Sequence, residues 1–104
     1  MLYLADISVD DRGLPLDELF DNWEKEAEAA LGAMDAGLIK HLFKFVGDRR
    51  VMAIIEIDSH DMLDDILTAG LPMAHHLKFN EVAPIREYKN FAEALKSRFA
   101  HLQQ

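Results

Sequence analysis

The chain predicts an α+β fold, a four-stranded antiparallel sheet with both crossover helices on one face. Three observations carry this. Apolar residues alternate with a period of two in the first nine residues and again over 38–57. Between those stretches they recur at helical spacing. A second helix and a further strand follow, before an apolar-faced helix closes the chain. With 104 residues there is room for one core, so a single domain over 1–104 is expected.

Leu2–Val9 reads as the first strand, with Tyr3, Ala5, Ile7 and Val9 on one side and Leu2, Leu4, Asp6 and Ser8 on the other. Asp10 to Leu16 is a loop, in which Arg12-Gly13 turns the chain and Pro15 holds Leu14 extended. A helix follows from about Asp17 to Asp35, with Asp17 as its N-cap and Glu18 suited to the positive end of the dipole. Leu16, Leu19, Phe20, Trp23, Ala27, Ala30, Leu31 and Met34 form its apolar stripe. Glu24 and Glu26 flank that stripe, as carboxylates near a pocket or, the preferred reading, as ordinary solvated charges. Gly37 is placed to end the helix in the left-handed conformation.

A hairpin comes next, 38–46 answered by 51–57 across Gly47-Asp48. Strict alternation puts Ile39, His41, Phe43 and Phe45 under the helices, and Leu38, Lys40, Leu42, Lys44 and Val46 on the other face. Ser59 caps a shorter helix that Gly70 and Pro72 stop. The segment from Met73 to Phe79, with His75-His76, is less regular. Asn80–Glu87 reads as the fourth strand, where Pro84 points to an edge or a bulge. Asn90–Leu102 is a final helix with Phe91, Leu95, Phe99 and Leu102 on one side. The order βαββαβ is the ferredoxin-like arrangement, here with an extra C-terminal helix.

The sheet face away from the helices keeps Leu2, Leu4, Leu38, Leu42, Met52 and Ile54, too much apolar surface to stand bare in water. The simplest cover is a second copy: a homodimer or higher homo-oligomer whose sheets face each other as a dimeric α+β barrel around a cavity. A net charge of −8 argues against nucleic acid as a partner. There is no apolar run of about 18 residues, so no membrane span is expected. The N-terminus lacks a basic region and meets Asp6 early, unlike a signal peptide. With no cysteine, the plain expectation is a cytoplasmic, non-redox protein.

On the uncovered face the polar residues are Asp6, Ser8, Lys40, Lys44 and Glu56. Buried charge must be paired or used. In one reading Glu56 or Asp6 is a general base and a lysine stabilises a developing oxyanion. In the other, pairs such as Lys40 with Glu56 only solubilise an open sheet. His41 is either a hydrogen-bonded core residue or, re-aimed by a bulge, a proton carrier. Trp23 is core or a ligand wall. His75 and His76 lack the spacing of a zinc pair, so no metal site is expected. Phosphate loops and nucleophile elbows are absent from the sequence.

The run Lys40-His41-Leu42-Phe43-Lys44-Phe45-Val46-Gly47, the strand end Glu56-Ile57-Asp58-Ser59 and the later Leu71-Pro72 resemble muconolactone Δ-isomerases. Met1-Leu2-Tyr3 and Glu24-Lys25-Glu26 fit as well, so the likeness runs to about Tyr88. It implies a dimeric α+β barrel and a cofactor-free allylic proton shift in a small carboxylated lactone. The likeness matches Lys40, Lys44, His41 and Glu56, so Glu56 and His41 are the expected catalytic residues and Lys40 and Lys44 the substrate-binding ones, joined by Asp6 and Trp23 from the reading of their own faces. Asp6 departs from the pattern, standing where a basic residue is expected. Two other functions fit such a barrel: a cofactor-free monooxygenase, and a non-catalytic binding or assembly module.

Overall fold

In the computed structural model, which describes residues 1–103, β1 (Leu2–Val9), β2 (Ile39–Lys44), β3 (Arg50–Glu56) and β4 (Leu77–Ile85) form one antiparallel sheet in the order β2-β3-β1-β4. Helix α1 (Leu16–Asp35) connects β1 to β2. Helix α2 (His60–Asp65), prolonged by a π-helical turn over Ile66–Gly70, connects β3 to β4 through a short 3-10 turn at Ala74–His76. Helix α3 spans Tyr88–Lys96 and not Asn90–Leu102, because Arg98 and Phe99 turn left-handed and break it before a 3-10 turn at Ala100–Leu102. This is the ferredoxin-like α+β fold with one added helix.

The sheet is buried on its helix side. Tyr3, Ala5, Ala53, Ile55 and Ile57 pack with Leu63 of α2 in one cluster, and Val9 packs with Leu19 of α1 and Met73 in a second. Leu19 and Met73 are fully buried. Truncating Leu19 to alanine therefore costs about 2–5 kcal/mol.

Several boundaries move from their sequence positions. Helix α1 starts at Leu16 behind Pro15, and no side chain caps it. The Leu19 N–H donates to the Pro15 carbonyl at 3.0 Å, so the ladder begins at the proline and Asp17 falls in the first turn instead. The expected stripe on α1 divides: Leu19 is buried and Trp23 half-buried, whereas Leu16, Phe20 and Leu31 stay at least half exposed. Strand β4 begins at Leu77 rather than Asn80, because it pairs along the whole of β1. It is an edge strand, which accommodates Pro84. His76 is buried, with Nδ1 donating to the Asp10 carbonyl at 3.0 Å, and is a structural tie between two loops. Gly37 is left-handed at φ 82°, and the Ser59 hydroxyl accepts the Met62 N–H at 3.1 Å, both as the sequence requires.

The largest correction lies in β2. Its register against β3 slips between Ile39 and His41, so that Lys40 is an inserted residue. Before the bulge, Ile39 opposes Ile55; after it, His41 opposes Ile54, Leu42 opposes Ala53 and Lys44 opposes Val51. Every residue after Lys40 is thereby moved to the face opposite the one strict alternation assigns. Leu42 and Lys44 turn to the helix side, while His41, Phe43 and Phe45 turn to the uncovered side. A second slip, between Asp6 and Ile7, leaves Asn80 as the extra residue on β4.

Candidate functional site

Between α1, α2 and the sheet lies a cavity of about 530 Å³, within the range of pockets that hold small organic molecules. It exists because the inner side of α1 offers little volume. Ala27, Ala29, Ala30 and Ala33 face a wall formed by Val51, Ala53 and Ile55 of β3, and methyl groups do not bridge the gap. Trp23 closes part of it, and Ile66 and Leu67 approach from the π-helical turn. Two charged residues reach this otherwise apolar space: Glu26 from α1 and Lys44 from the end of β2.

Glu26 is the unusual group. Its Oε2 is buried with no hydrogen-bond partner. Burial pushes its carboxyl pKa up from the ordinary value of 4.5, and a backbone hydrogen bond at Met73 only partly offsets this. A carboxyl held in this way is a stronger base than one in water. Lys44 donates from Nζ to the Phe45 carbonyl at 2.8 Å, an exposed bond.

The opposite face of the sheet has different chemistry. Arg50 Nε donates to Asp6 Oδ1 at 2.8 Å, and its terminal nitrogen pairs with Oδ2. Asn80 Nδ2 donates to Asp6 Oδ1 at 3.2 Å and to the Ser8 hydroxyl at 2.7 Å. Hydrogen bonds from Arg50, outweighing the effect of burial and aided by Asn80, hold the Asp6 carboxyl at about 2. The Arg50 guanidinium also lies 4.3 Å from the centre of the Phe45 ring. Asp6 is therefore the neutralised half of a tight pair.

The six residues singled out from the sequence do not meet. Trp23 and Lys44 line the cavity. Asp6, His41 and Glu56 belong to the uncovered face, and Lys40 is the exposed insertion of the bulge. Glu56 opposes Leu2 and lies 3.6 Å from the N-terminal ammonium, whereas Asp6 opposes Met52, four residues or about 13 Å along the strand. His41 stacks on Phe43 at 6.3 Å with the rings 5° from parallel. Arg50 was passed over in the sequence, and Glu26, read there as a solvated flank, is instead partly buried with one oxygen enclosed. Arg50 sits two positions along from the Asp6 pairing partner, Met52, where a diagonal cross-strand pair is within reach. Glu26 had a signal in the alanines around it, since a carboxylate within an alanine face lies over unfilled space.

A second, more open cavity of about 470 Å³ lies between α2 and β4, where the Tyr3 hydroxyl bonds to His60 Nδ1. Among the described residues no three His, Asp or Glu side chains gather as a metal ion requires. No described helix is long and apolar enough to cross a membrane.

A ferredoxin-like α+β fold with a largely apolar chamber beneath its first helix defines a class of small protein with room for one small organic molecule. Comparison with protein families is more specific. The family model for muconolactone delta-isomerase matches residues 1–90, and the chain belongs to that family. No curated protein matches the chain.

Proposed function

We propose that this protein is an isomerase that moves a proton within a small anionic cyclic metabolite, a carboxylated lactone, without a cofactor, and that the cavity under α1 is where it does so. The observation that carries this is Glu26, a carboxyl with a raised pKa and an unpartnered oxygen in an apolar chamber. Ionised Glu26 takes a proton from the γ-carbon of the unsaturated lactone, the carbon beside the ring oxygen, leaving a dienolate. The same carboxyl then returns a proton to the carbon next to the lactone carbonyl, shifting the double bond with no net change in composition. Lys44 holds the substrate carboxylate or the developing oxyanion, and Trp23 is a wall against the ring. The uncovered sheet face, with Leu4, Met52, Ile54 and an exposed Phe43, meets its counterpart in a homodimer.

A rival reading puts proton transfer on that other face, with His41 and Glu56 as carriers. The bulge that turns His41 outward is the observation in its favour. Incubation of the purified protein with muconolactone in D2O, followed by proton NMR, tests the proposal. Shift of the double bond with deuterium exchange at the two carbons is expected. No turnover by correctly folded protein, or turnover that consumes oxygen, would overturn it.

A further inference from the structure

Helix α3 starts at the end of the family-matched residues 1–90, with six of its nine residues beyond them, and its apolar side is unclaimed. None of its residues is buried, and Tyr88, Leu95 and Leu102 are 75%, 43% and 69% exposed. The contacts described for its side chains stay local: Tyr88 with Phe91, Phe91 with Phe99, and Arg86 over Phe91. The molecule measures 60 × 28 × 22 Å, long for its size. Amphipathic helices of this length gain most of their stability from burying their apolar side.

The same chain carries a surface of matching shape and opposite charge. On α1, Leu16, Phe20 and Leu31 form an exposed stripe within about 60° of arc, beside the inward-facing residues. Asp17, Glu24, Glu28 and Asp35 run along one edge of it. Helix α1 has seven carboxylates against one lysine. On α3, Tyr88, Phe91 and Leu95 form a stripe of similar width, with Lys89 and Lys96 along one edge. Residues 86–98 carry four basic side chains against two acidic, in a chain of net charge −8.

We propose that α3 is an arm that docks antiparallel on the outer stripe of α1 in a second copy of this chain. Antiparallel packing puts the lysine edge of α3 and the carboxylate edge of α1 on the same side of the contact, whereas parallel packing separates them. The match therefore selects an orientation as well as a partner, and it brings Leu95 toward the Phe20 end of α1. A reciprocal exchange buries two arms on two stripes and adds a contact separate from the sheet faces. It depends on neither the isomerase reading nor the sheet-to-sheet dimer.

The native chain has no cysteine, so single substitutions report contact directly. A tagged Phe20→Cys protein co-expressed with an untagged Leu95→Cys protein, mildly oxidised, is expected to give a covalent heterodimer on non-reducing gels. Its yield should fall several-fold in high salt and with Lys89→Glu/Lys96→Glu. The substituted positions are exposed, and circular dichroism melts establish that each variant is folded. Three results would overturn the proposal. These are no heterodimer from folded proteins, equal crosslinking when Met62→Cys on α2 replaces Phe20→Cys, or a crosslink formed only within one chain in the double variant. Loss of turnover in Glu26→Gln with the crosslink intact would separate this arm from the proposed chemistry.

Discussion

Asp6 and Glu26 are carboxylates on opposite sides of one sheet, and their surroundings push them in opposite directions. Asp6 has Arg50 and Asn80 as donors and is held near a pKa of about 2. Glu26 has an apolar chamber and an orphaned oxygen, and its pKa rises. The first arrangement stabilises the ion so well that it has little tendency to take up a proton. The second leaves the ion poorly solvated and hence a stronger base. Charge on a sheet face is therefore a poor guide to chemistry by itself; what decides is whether a partner has already satisfied the charge.

The largest effect should come from breaking that contrast at Glu26. Glu26→Gln keeps shape and removes the base, and turnover of a carboxylated lactone is expected to fall about 10²–10⁴-fold. Asp6→Asn should change kcat by no more than a few-fold, since that carboxyl acts on Arg50 and not on a reacting atom. Steady-state assays of both variants decide it. Equal losses would place the chemistry on the uncovered face.

The same pair predicts opposite pH behaviour. Glu26 has a folded-state pKa above its unfolded value. Its relative contribution to stability is thus fully present below about 4.5 and is lost as pH rises through the folded pKa. Glu26→Gln should therefore gain on the native protein as pH rises above about 4.5 in urea melts. Asp6 has a folded-state pKa below its ordinary 3.8, so its contribution is present above that value and disappears as pH falls towards about 2. Asp6→Asn should flatten the acid limb. Activity should follow ionised Glu26 and rise with pH through its raised pKa.

A smaller effect is expected from the lysines, which strict alternation puts together and the bulge puts apart. Lys44 borders the cavity and Lys40 does not. Lys44→Met should raise KM for an anionic lactone about tenfold, the order of one lost charged hydrogen bond, with a smaller change in kcat. Lys40→Met should leave both near native values. A reversed ranking would mean that substrate binds on the uncovered face.

Why the lysines mislead bears on how much of the molecule is legible in the sequence. The element order, the left-handed Gly37, the Ser59 cap and the edge position of β4 follow from local chemistry, which residue types report directly. The bulge at Lys40 does not. The run from Ile39 to Val46 alternates plausibly in either register, and only pairing with β3 selects one. One inserted residue was enough to move His41, Leu42, Phe43, Lys44 and Phe45 to the opposite face. The cavity was half legible: the alanines of α1 were visible, but counting them as core assumes that the helix sits close to the sheet. Arg50 was hidden for a simpler reason, since a cross-strand partner cannot be assigned before the register is known.

The smallest effects should be those of His41 and Glu56, and they are the sharpest test of which face reacts. His41 stacks on Phe43, and Glu56 lies beside the N-terminal ammonium, with neither reaching the cavity. In the proposed mechanism neither side chain touches substrate. His41→Ala and Glu56→Gln are therefore expected to change kcat by less than about threefold, well short of the loss that removal of a general base produces. They sit where two sheets would meet, so any effect should appear in the concentration dependence of mass by light scattering. A fall in kcat at protein concentrations where the assembly remains whole would assign proton transfer to the uncovered face. A fall that tracks dissociation alone would leave Glu26 as the base and make His41 and Glu56 interface residues.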